Sequence, residues 1–276
     1  MKLLTNTTDY TETIHIAFHL QGEYTKPVIF HCYWNGALNE KHLYSILSCY
    51  YFNVYKNKHK IILWLENNTA NEYNTEIEKY AEIQYFSLSD EMHKTNFIKN
   101  YRYNFSQITY YSDFVRNLFL YNYGGVWFDL DCFFLRNFDP IFIHFENEIC
   151  VYQWETQNYP NNAIYISLEP KSEKMKKNIE FIMNRNSGWG FQEAQLTYDL
   201  PLDMLVLPCS WFNADWIQNP YNIGTINFFE NTDKYYNFDN FYKGAFCYHW
   251  HNKWNKKTEE NSIIIQLVKI IRMNLQ

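Results

Sequence analysis

Two carboxylates, Asp129 and Asp131, stand two residues apart inside 126–134, a run otherwise dense in apolar and aromatic residues. Burying an unpaired carboxylate is very costly, so a strand-like run that carries two of them marks a place where function overrides folding preference. In a strand, residues two apart point the same way, which would put both side chains on one face near the strand's carboxyl end. Ligands of open α/β sheets gather at that end. Two hard oxygen donors there suit Mn²⁺ or Mg²⁺, which keep positions open for the oxygens of a diphosphate. The plain alternative is a solvated loop with both side chains in water, because an Asp-x-Asp triplet is common. Upstream, Asp113 and Arg116 lie three apart and share a helix face. Asp113 could accept hydrogen bonds from sugar hydroxyls, and Arg116 could hold a phosphate or the sugar. The competing reading is an i,i+3 ion pair, with Ser112 or Asp113 as the helix cap.

These residues need elements to position them. The first half alternates short β-rich runs with helical patterns, the rhythm of an α/β domain with a mostly parallel sheet. Residues 28–33 read as a buried strand, 39–53 as a helix, 60–66 as the next strand, 67–74 as an Asn-rich loop and 83–86 as a third strand. The clearest helix is 106–123, with Phe114, Val115, Leu118 and Phe119 as its apolar stripe and Gly124-Gly125 as its stop. A strand over 126–134 follows. Beyond Asn137 the pattern becomes irregular, with loops expected around 157–162, 184–190 and 211–227. In 258–276, Ile263, Ile264, Leu267, Ile270, Ile271 and Leu275 recur at helical spacing. They describe a terminal helix packed on the core or, beside Lys253, Lys256 and Lys257, a peripheral contact with a membrane or partner.

Bulk properties narrow the classes. A chain of 276 residues, 47% hydrophobic and 20% aromatic, has material for a large core and is not intrinsically disordered. A net charge of -6 argues against a general nucleic-acid binder, while leaving room for a small basic pocket that takes one diphosphate. Six scattered cysteines with no C-x-x-C pair suggest neither a structural zinc site nor a compact disulfide framework, and fit reduced thiols in a cytosol-like compartment. Residues 1–21 lack the basic segment and apolar run of a signal peptide, and no stretch approaches the roughly 20 apolar residues a membrane helix needs. The expected location is therefore cytoplasmic, in a bacterium or a virus-infected host, with membrane-peripheral attachment as the alternative.

The whole run Ser112-Asp113-Phe114-Val115-Arg116 through Tyr123-Gly124-Gly125-Val126-Trp127-Phe128-Asp129-Leu130-Asp131 resembles the DXD sugar-binding region of glycosyltransferase family 32 and its relatives. That form is a helix carrying S-D-x-x-R, then Y-G-G, an aromatic or aliphatic step, and D-x-D. The likeness spans about 28–255 and is closest to the α1,4-galactosyltransferase and α1,4-N-acetylglucosaminyltransferase members. Asn162-Ala163 with 164–167 is similar to their N-G/A-hydrophobic strand, and Gly188-Trp189-Gly190 with Gln195-Leu196-Thr197 to their W-x-G and Q-L-L-T stretch. Leu207-Pro208 leading to Trp211-Phe212 and Trp216 is similar to their proline and aromatic segment. Tyr248-His249-Trp250-His251-Asn252-Lys253 resembles their V-H-x-W-N-K. More weakly, Phe30-His31-Cys32-Tyr33-Trp34-Asn35-Gly36 and 45–49 resemble an I-H-x-x-W-x-G strand and an S-x-x-S helix of the broader superfamily.

The resemblance implies a GT-A type fold: a Rossmann-like, mostly parallel sheet with an irregular C-terminal acceptor-side extension. It implies one catalytic domain over 1–276, with a nucleotide-sugar-binding half at about 28–137, an acceptor and donor-sugar half at 138–257 and the terminal helix at 258–276. The activity it implies is metal-dependent, retaining transfer of a hexose or N-acetylhexosamine from a nucleotide-sugar to a glycan or glycoconjugate acceptor. UDP-sugars are favoured as donors and GDP-sugars are possible; Mn²⁺ or Mg²⁺ is the cofactor. Residue by residue, Asp131 becomes a direct metal ligand, Asp129 helps the metal or the donor ribose, and His249 is the third ligand or else a hydrogen-bonded core imidazole. His251 stands where the family usually has Trp, which leaves open which of the two histidines faces the metal. Tyr33 and Trp34 fall to the donor nucleotide, with Trp34 stacking on the base or serving as core. Asp113, Arg116 and Asn162 fall to the donor. Asn252, Lys253 and Trp254 would close over the diphosphate, although Lys253 also reads as part of a solvated face. Among Gln192, Glu193 and Gln195, one lines the donor sugar, and Gln195 is taken with the donor set.

Rival classes fit less well. A glycosidase needs about 5 Å or more between its carboxyl groups, which two same-face neighbours do not offer. A nucleotidyltransferase would want a glycine-rich phosphate loop, and none occurs. A non-catalytic carbohydrate- or nucleotide-sugar-binding protein on the same fold has no physical need for Asp113, Arg116, Asp129, Asp131 and His249 together.

Overall fold

Side chains that alternate between two cores build the middle of the sheet. In the strand Lys60–Leu65, Ile61, Leu63 and Leu65 join one buried cluster while Ile62 and Trp64 join another. In Gly125–Phe128, Val126 and Phe128 face the first cluster and Trp127 the second. A sheet covered on both faces needs near-continuous apolar strands, which is why these segments read as unbroken hydrophobic runs. The computed structural model describes residues 2–3, 10–66, 72–98, 108–153, 160–183, 203–216 and 227–276.

Eight strands make the main sheet: β1 (Lys2–Leu3), β2 (Ile29–Trp34), β3 (Lys60–Leu65), β4 (Glu82–Tyr85), β5 (Gly125–Phe128), β7 (Ile149–Gln153), β8 (Pro160–Ser167) and β9 (Met204–Leu207). Their order is β1-β9-β7-β8-β5-β2-β3-β4. Neighbours are parallel except that β8 runs antiparallel to both β5 and β7. A small antiparallel pair, β6 (Cys132–Phe134) with β10 (Cys247–His249), stands beside it. The described helices are α1 (Tyr10–His19), α2 (Glu40–Cys49), α3 (Glu72–Ile77), α4 (Leu88–His93), α5 (Ile108–Tyr123), α6 (Asp139–Phe145), α7 (Glu173–Met183) and α8 (Ile263–Leu275). Helices α5 and α7 cover one face of the sheet through Phe114, Leu118, Phe119, Met175 and Ile179, while α2 and α8 lie on the other with Leu43, Ile46, Leu47, Ile264 and Leu267.

The expected helix over 39–53 forms as α2, capped by Asn39 and continued by a π-turn at Tyr50–Val54. The terminal helix buries Ile263, Ile264, Leu267 and Ile271 against the core. No helix among the described residues is long and apolar enough to cross a membrane. All six cysteines are buried, and none is in a disulfide.

Four expectations change. The single strand over 126–134 is two strands in two sheets, β5 and β6, with Asp129, Leu130 and Asp131 in the turn between them. Two carboxylates cannot sit mid-ladder in an apolar sheet, and the turn takes them out of it. The loop over 67–74 ends early, since α3 begins at Glu72, and the loop over 157–162 gives way to β8 at Pro160. Finally, the sheet does not dissolve beyond Asn137: β7, β8 and β9 all join it. Strands β7 and β9 are short and almost wholly buried, so they lack the alternation by which a strand is recognised. Between 227 and 262 the chain is irregular apart from β10 and an isolated bridge of Asn231 to Ser262.

Candidate active site

Helix α5, strand β5 and strand β8 converge on one guanidinium. Arg116 is only 4% exposed, and its Nη1 donates to the carbonyl oxygen and Oδ1 of Asn162, both at 2.6 Å. Its Nε and Nη2 donate to the Ser112 carbonyl and hydroxyl at 3.4 and 3.2 Å. Nη2 also pairs with Asp113 Oδ1 at 3.3 Å and Asp129 Oδ1 at 3.2 Å. Every N–H of the fork is therefore directed at a protein acceptor. Asn162 returns a bond from Nδ2 to Asp113 Oδ1 at 3.1 Å, and Trp127 Nε1 donates to Asp129 Oδ1 at 2.8 Å. Burial raises both the Asp113 and Asp129 carboxyls, and Arg116 works against that rise in each.

The second carboxylate of the triplet faces the other way, toward the small sheet. Asp131 Oδ1 lies 3.1 Å from His249 Nε2, and Asp131 Oδ2 accepts from the Asn252 backbone N–H at 2.8 Å. Burial alone would raise this carboxyl, but the His249 imidazole beside it and the Asn252 N–H hold it down at about 2. The register that sets His249 opposite Cys132 in the β6–β10 pair is what brings the imidazole to Asp131. Tyr152 on β7 orients the ring from behind, with its hydroxyl 2.8 Å from His249 Nδ1. Past β10 the chain doubles back through His251 and Asn252, both at φ +52°. The His251 ring lies tilted against that of His249, with centroids 3.9 Å apart, and its Nε2 lies 2.7 Å from Asn213 Nδ2. Burial, then the neighbouring His249, pushes the His251 imidazole down to about 3.

These groups border a single cleft of about 480 Å³. Its lining includes Tyr33, Trp34, Asp113, Arg116, Asp129, Asp131, Asn162, His249, His251, Asn252 and Trp254, together with Asn35, Ile108, Ser112, Leu130 and Asn161. The Tyr33 hydroxyl is taken by Glu66 at 3.0 Å. Trp34 packs against His42 and Trp254, with ring centroids at 4.2 and 4.9 Å, so its ring belongs partly to the cleft wall. Lys253 is not in the lining; its charge acts on His251 and on Asp215. Gln192, Glu193 and Gln195, with 188–190 and 195–197, lie outside the described residues.

Asp131, Cys132 and His249 offer donor atoms that all lie within 4.8 Å of one another, a grouping able to hold a metal ion. A carboxylate and an imidazole held this way fit a divalent cation such as Mn²⁺. The Cys132 thiol is pushed well up by burial and so stays protonated in the metal-free protein. Asp129 stands outside this group, its carboxylate turned to Arg116 and Trp127. Sequence reasoning missed Cys132, Tyr152 and Asn161. Nothing in the local pattern separates Tyr152 from the rest of the chain's 25 tyrosines, because its role arises only when β7 passes behind β10.

Residues 55–148 match the family described as glycosyltransferase sugar-binding region containing DXD motif. Among curated proteins, none matches the chain. The solved apo structure of the bifunctional glycosyltransferase WbbM is similar over 91% of this chain and 50% of its own, with a TM-score of 0.51 at 11% identity. The glycosyltransferase GlyE of Streptococcus pneumoniae TIGR4 is similar over 67% of this chain and 46% of its own, with a TM-score of 0.46 at 14% identity. Mouse xyloside xylosyltransferase 1 is similar over 68% and 87%, with a TM-score of 0.46 at 10% identity. At such identity the likeness to WbbM is one of fold, and that fold is GT-A. The matched region makes the chain a transferase enzyme of the glycosyltransferase class.

Proposed function

We propose that this glycosyltransferase takes a hexose or N-acetylhexosamine from a nucleotide-sugar, UDP-linked by preference and GDP-linked as the alternative, and transfers it with retention to a glycan or glycoconjugate acceptor. The observation that carries the reading is the convergence, in one cleft, of the Asp131–His249 pair with the Arg116-centred carboxylates Asp113 and Asp129. A divalent cation held by Asp131 and His249 would neutralise charge on the leaving diphosphate. Asp131, kept ionised by its neighbours, offers that cation a ready anion at neutral pH. Asp129 stands next to it, fixed by Arg116 and Trp127 and placed to meet the metal or the donor ribose.

Arg116 serves this site by offsetting part of the desolvation cost of the Asp113 and Asp129 carboxyls and by aiming them, since its own donors are spent on the protein. Asp113 and Asn162, both in the lining, are the groups for the sugar hydroxyls. Trp34 and Trp254 form the aromatic wall on the nucleotide side, and Asn252 and Lys253 belong to the segment closing over the diphosphate. Front-face attack with the leaving phosphate as proton acceptor asks for no enzyme nucleophile, in keeping with a cleft whose carboxylates are all engaged.

The test is donor hydrolysis. The protein is incubated with a panel of UDP- and GDP-sugars, with Mn²⁺ or with chelator, and released nucleoside diphosphate is measured beside Asp131→Ala. Metal-dependent release from one donor, lost in the variant, is expected. Silence across the panel, with no calorimetric donor binding, would reject the proposal.

A further inference from the structure

Lysine is a poor choice for the first turn of a helix, where the N-terminal dipole repels a cation, and a poorer one when buried. Lys41 is the second residue of α2 and is 3% exposed. Its partners are carbonyls rather than carboxylates: Nζ donates to the backbone oxygens of Lys253 at 2.6 Å, Trp254 at 3.2 Å and Lys256 at 2.5 Å. An ammonium has three donors, and all three are matched by one loop. The Phe229 ring closes the remaining side, 3.9 Å from Nζ.

That loop borders the cleft. Its first residue, Asn252, gives its N–H to Asp131 Oδ2, and Trp254 lines the cleft. The next residue of α2 adds a second hold, because the His42 ring stacks on Trp254 with centroids 4.4 Å apart. His42 is itself locked by the capping box, where its Nδ1 accepts the Asn39 N–H at 2.9 Å. Lys41 does not line the cleft, so whatever it does for the site passes through the loop.

We propose that Lys41 is a positioning residue, a buried ammonium latch that gathers the carbonyls of residues 253–256 and so holds Asn252 against Asp131 and Trp254 over the donor. This rests on the reading of the cleft as a nucleotide-sugar site. Releasing the latch lets the loop leave its binding-competent position, and apparent donor affinity falls by the fraction of time it is away.

The loop carries its own reporter, since trypsin cuts after Lys253, Lys256 and Lys257. Limited proteolysis and calorimetry of UDP and GDP with Mn²⁺ are compared for wild type and Lys41→Met, with the melting transition confirming that each is folded. Losing a charge-assisted contact set of this kind is expected to speed cutting at the loop, and to weaken nucleotide binding, by about ten-fold each. Should Lys41→Met not fold, Lys41→Gln keeps two uncharged donors and gives the same comparison at smaller amplitude. A folded variant whose loop cutting and nucleotide affinity both stay within about two-fold of wild type overturns the latch. Wild type that binds neither nucleotide overturns the nucleotide-sugar reading instead, and the proteolysis then judges the loop contact by itself.

Discussion

At the scale of single residues, the site depends on how one buried carboxylate, Asp131, and two part-buried ones, Asp113 and Asp129, are kept from being unpaired charges. Asp113 and Asp129 lean on Arg116, and both remain raised by burial. Asp131 has a facing imidazole and a backbone N–H, and lies low at about 2. A carboxyl depressed on folding contributes stability that is present above its unfolded value and lost as pH falls toward its folded value. The window for Asp131 therefore runs from about pH 4 down to about pH 2. The advantage of wild type over Asp131→Asn should shrink by about 1 kcal/mol between about pH 5 and pH 3. Urea unfolding of both proteins at the two pH values measures it, and a constant gap would show that Asp131 is not depressed in the folded chain.

At the scale of elements, the turn from α5 into β5 sets where the carboxylates land. Gly124 and Gly125 have φ of +65° and +114°. A Cβ on Gly125 would collide with the carbonyl oxygen of Ile29, and one on Gly124 with that of Leu168. Backbone atoms of β2 and of the segment after β8 cannot move without disturbing the sheet. Gly125→Ala should destabilise the protein by about 3 kcal/mol or more, since it combines a forbidden φ with a backbone clash. Thermal unfolding checks this, and a shift of only a degree or two would mean that β2 and β5 can separate cheaply. The same two glycines let β5 pair with β2 at once, which delivers Asp129 just beyond the sheet edge.

At the scale of the whole molecule, the cleft lies where distant parts of the chain meet: β2, α5, the β5–β6 turn, β8 and the segment after β10. Ligands that bind there should report on global stability, because binding to the folded state alone stabilises it by mass action. Mn²⁺ with UDP at a hundred-fold excess over Kd should add about 2.7 kcal/mol to the folded state and raise Tm by several degrees. His249→Ala should lose most of that rise. A rise of equal size in the variant would separate nucleotide binding from the Asp131–His249 pair.

Much of this was written into the chain locally. The helix ending in Gly124-Gly125, the parallel strands of the first half, the terminal helix and the conflict of two aspartates in an apolar run are all patterns within about 20 residues, where spacing and conformational preference act directly. What the sequence by itself determined is thus the α/β class and the chemical types present near Asp113, Arg116, Asp129 and Asp131. The tertiary structure alone decided how they divide: Arg116 turned inward to two carboxylates, Asp131 turned away to His249. It also decided that β7, β8 and β9 continue the sheet, that Tyr152 backs His249, and that Lys41 reaches across to 253–256. These depend on sheet order and on contacts between residues far apart in sequence. No local pattern encodes such pairings, because each is set by the packing of whole elements rather than by the preferences of the residues that finally touch.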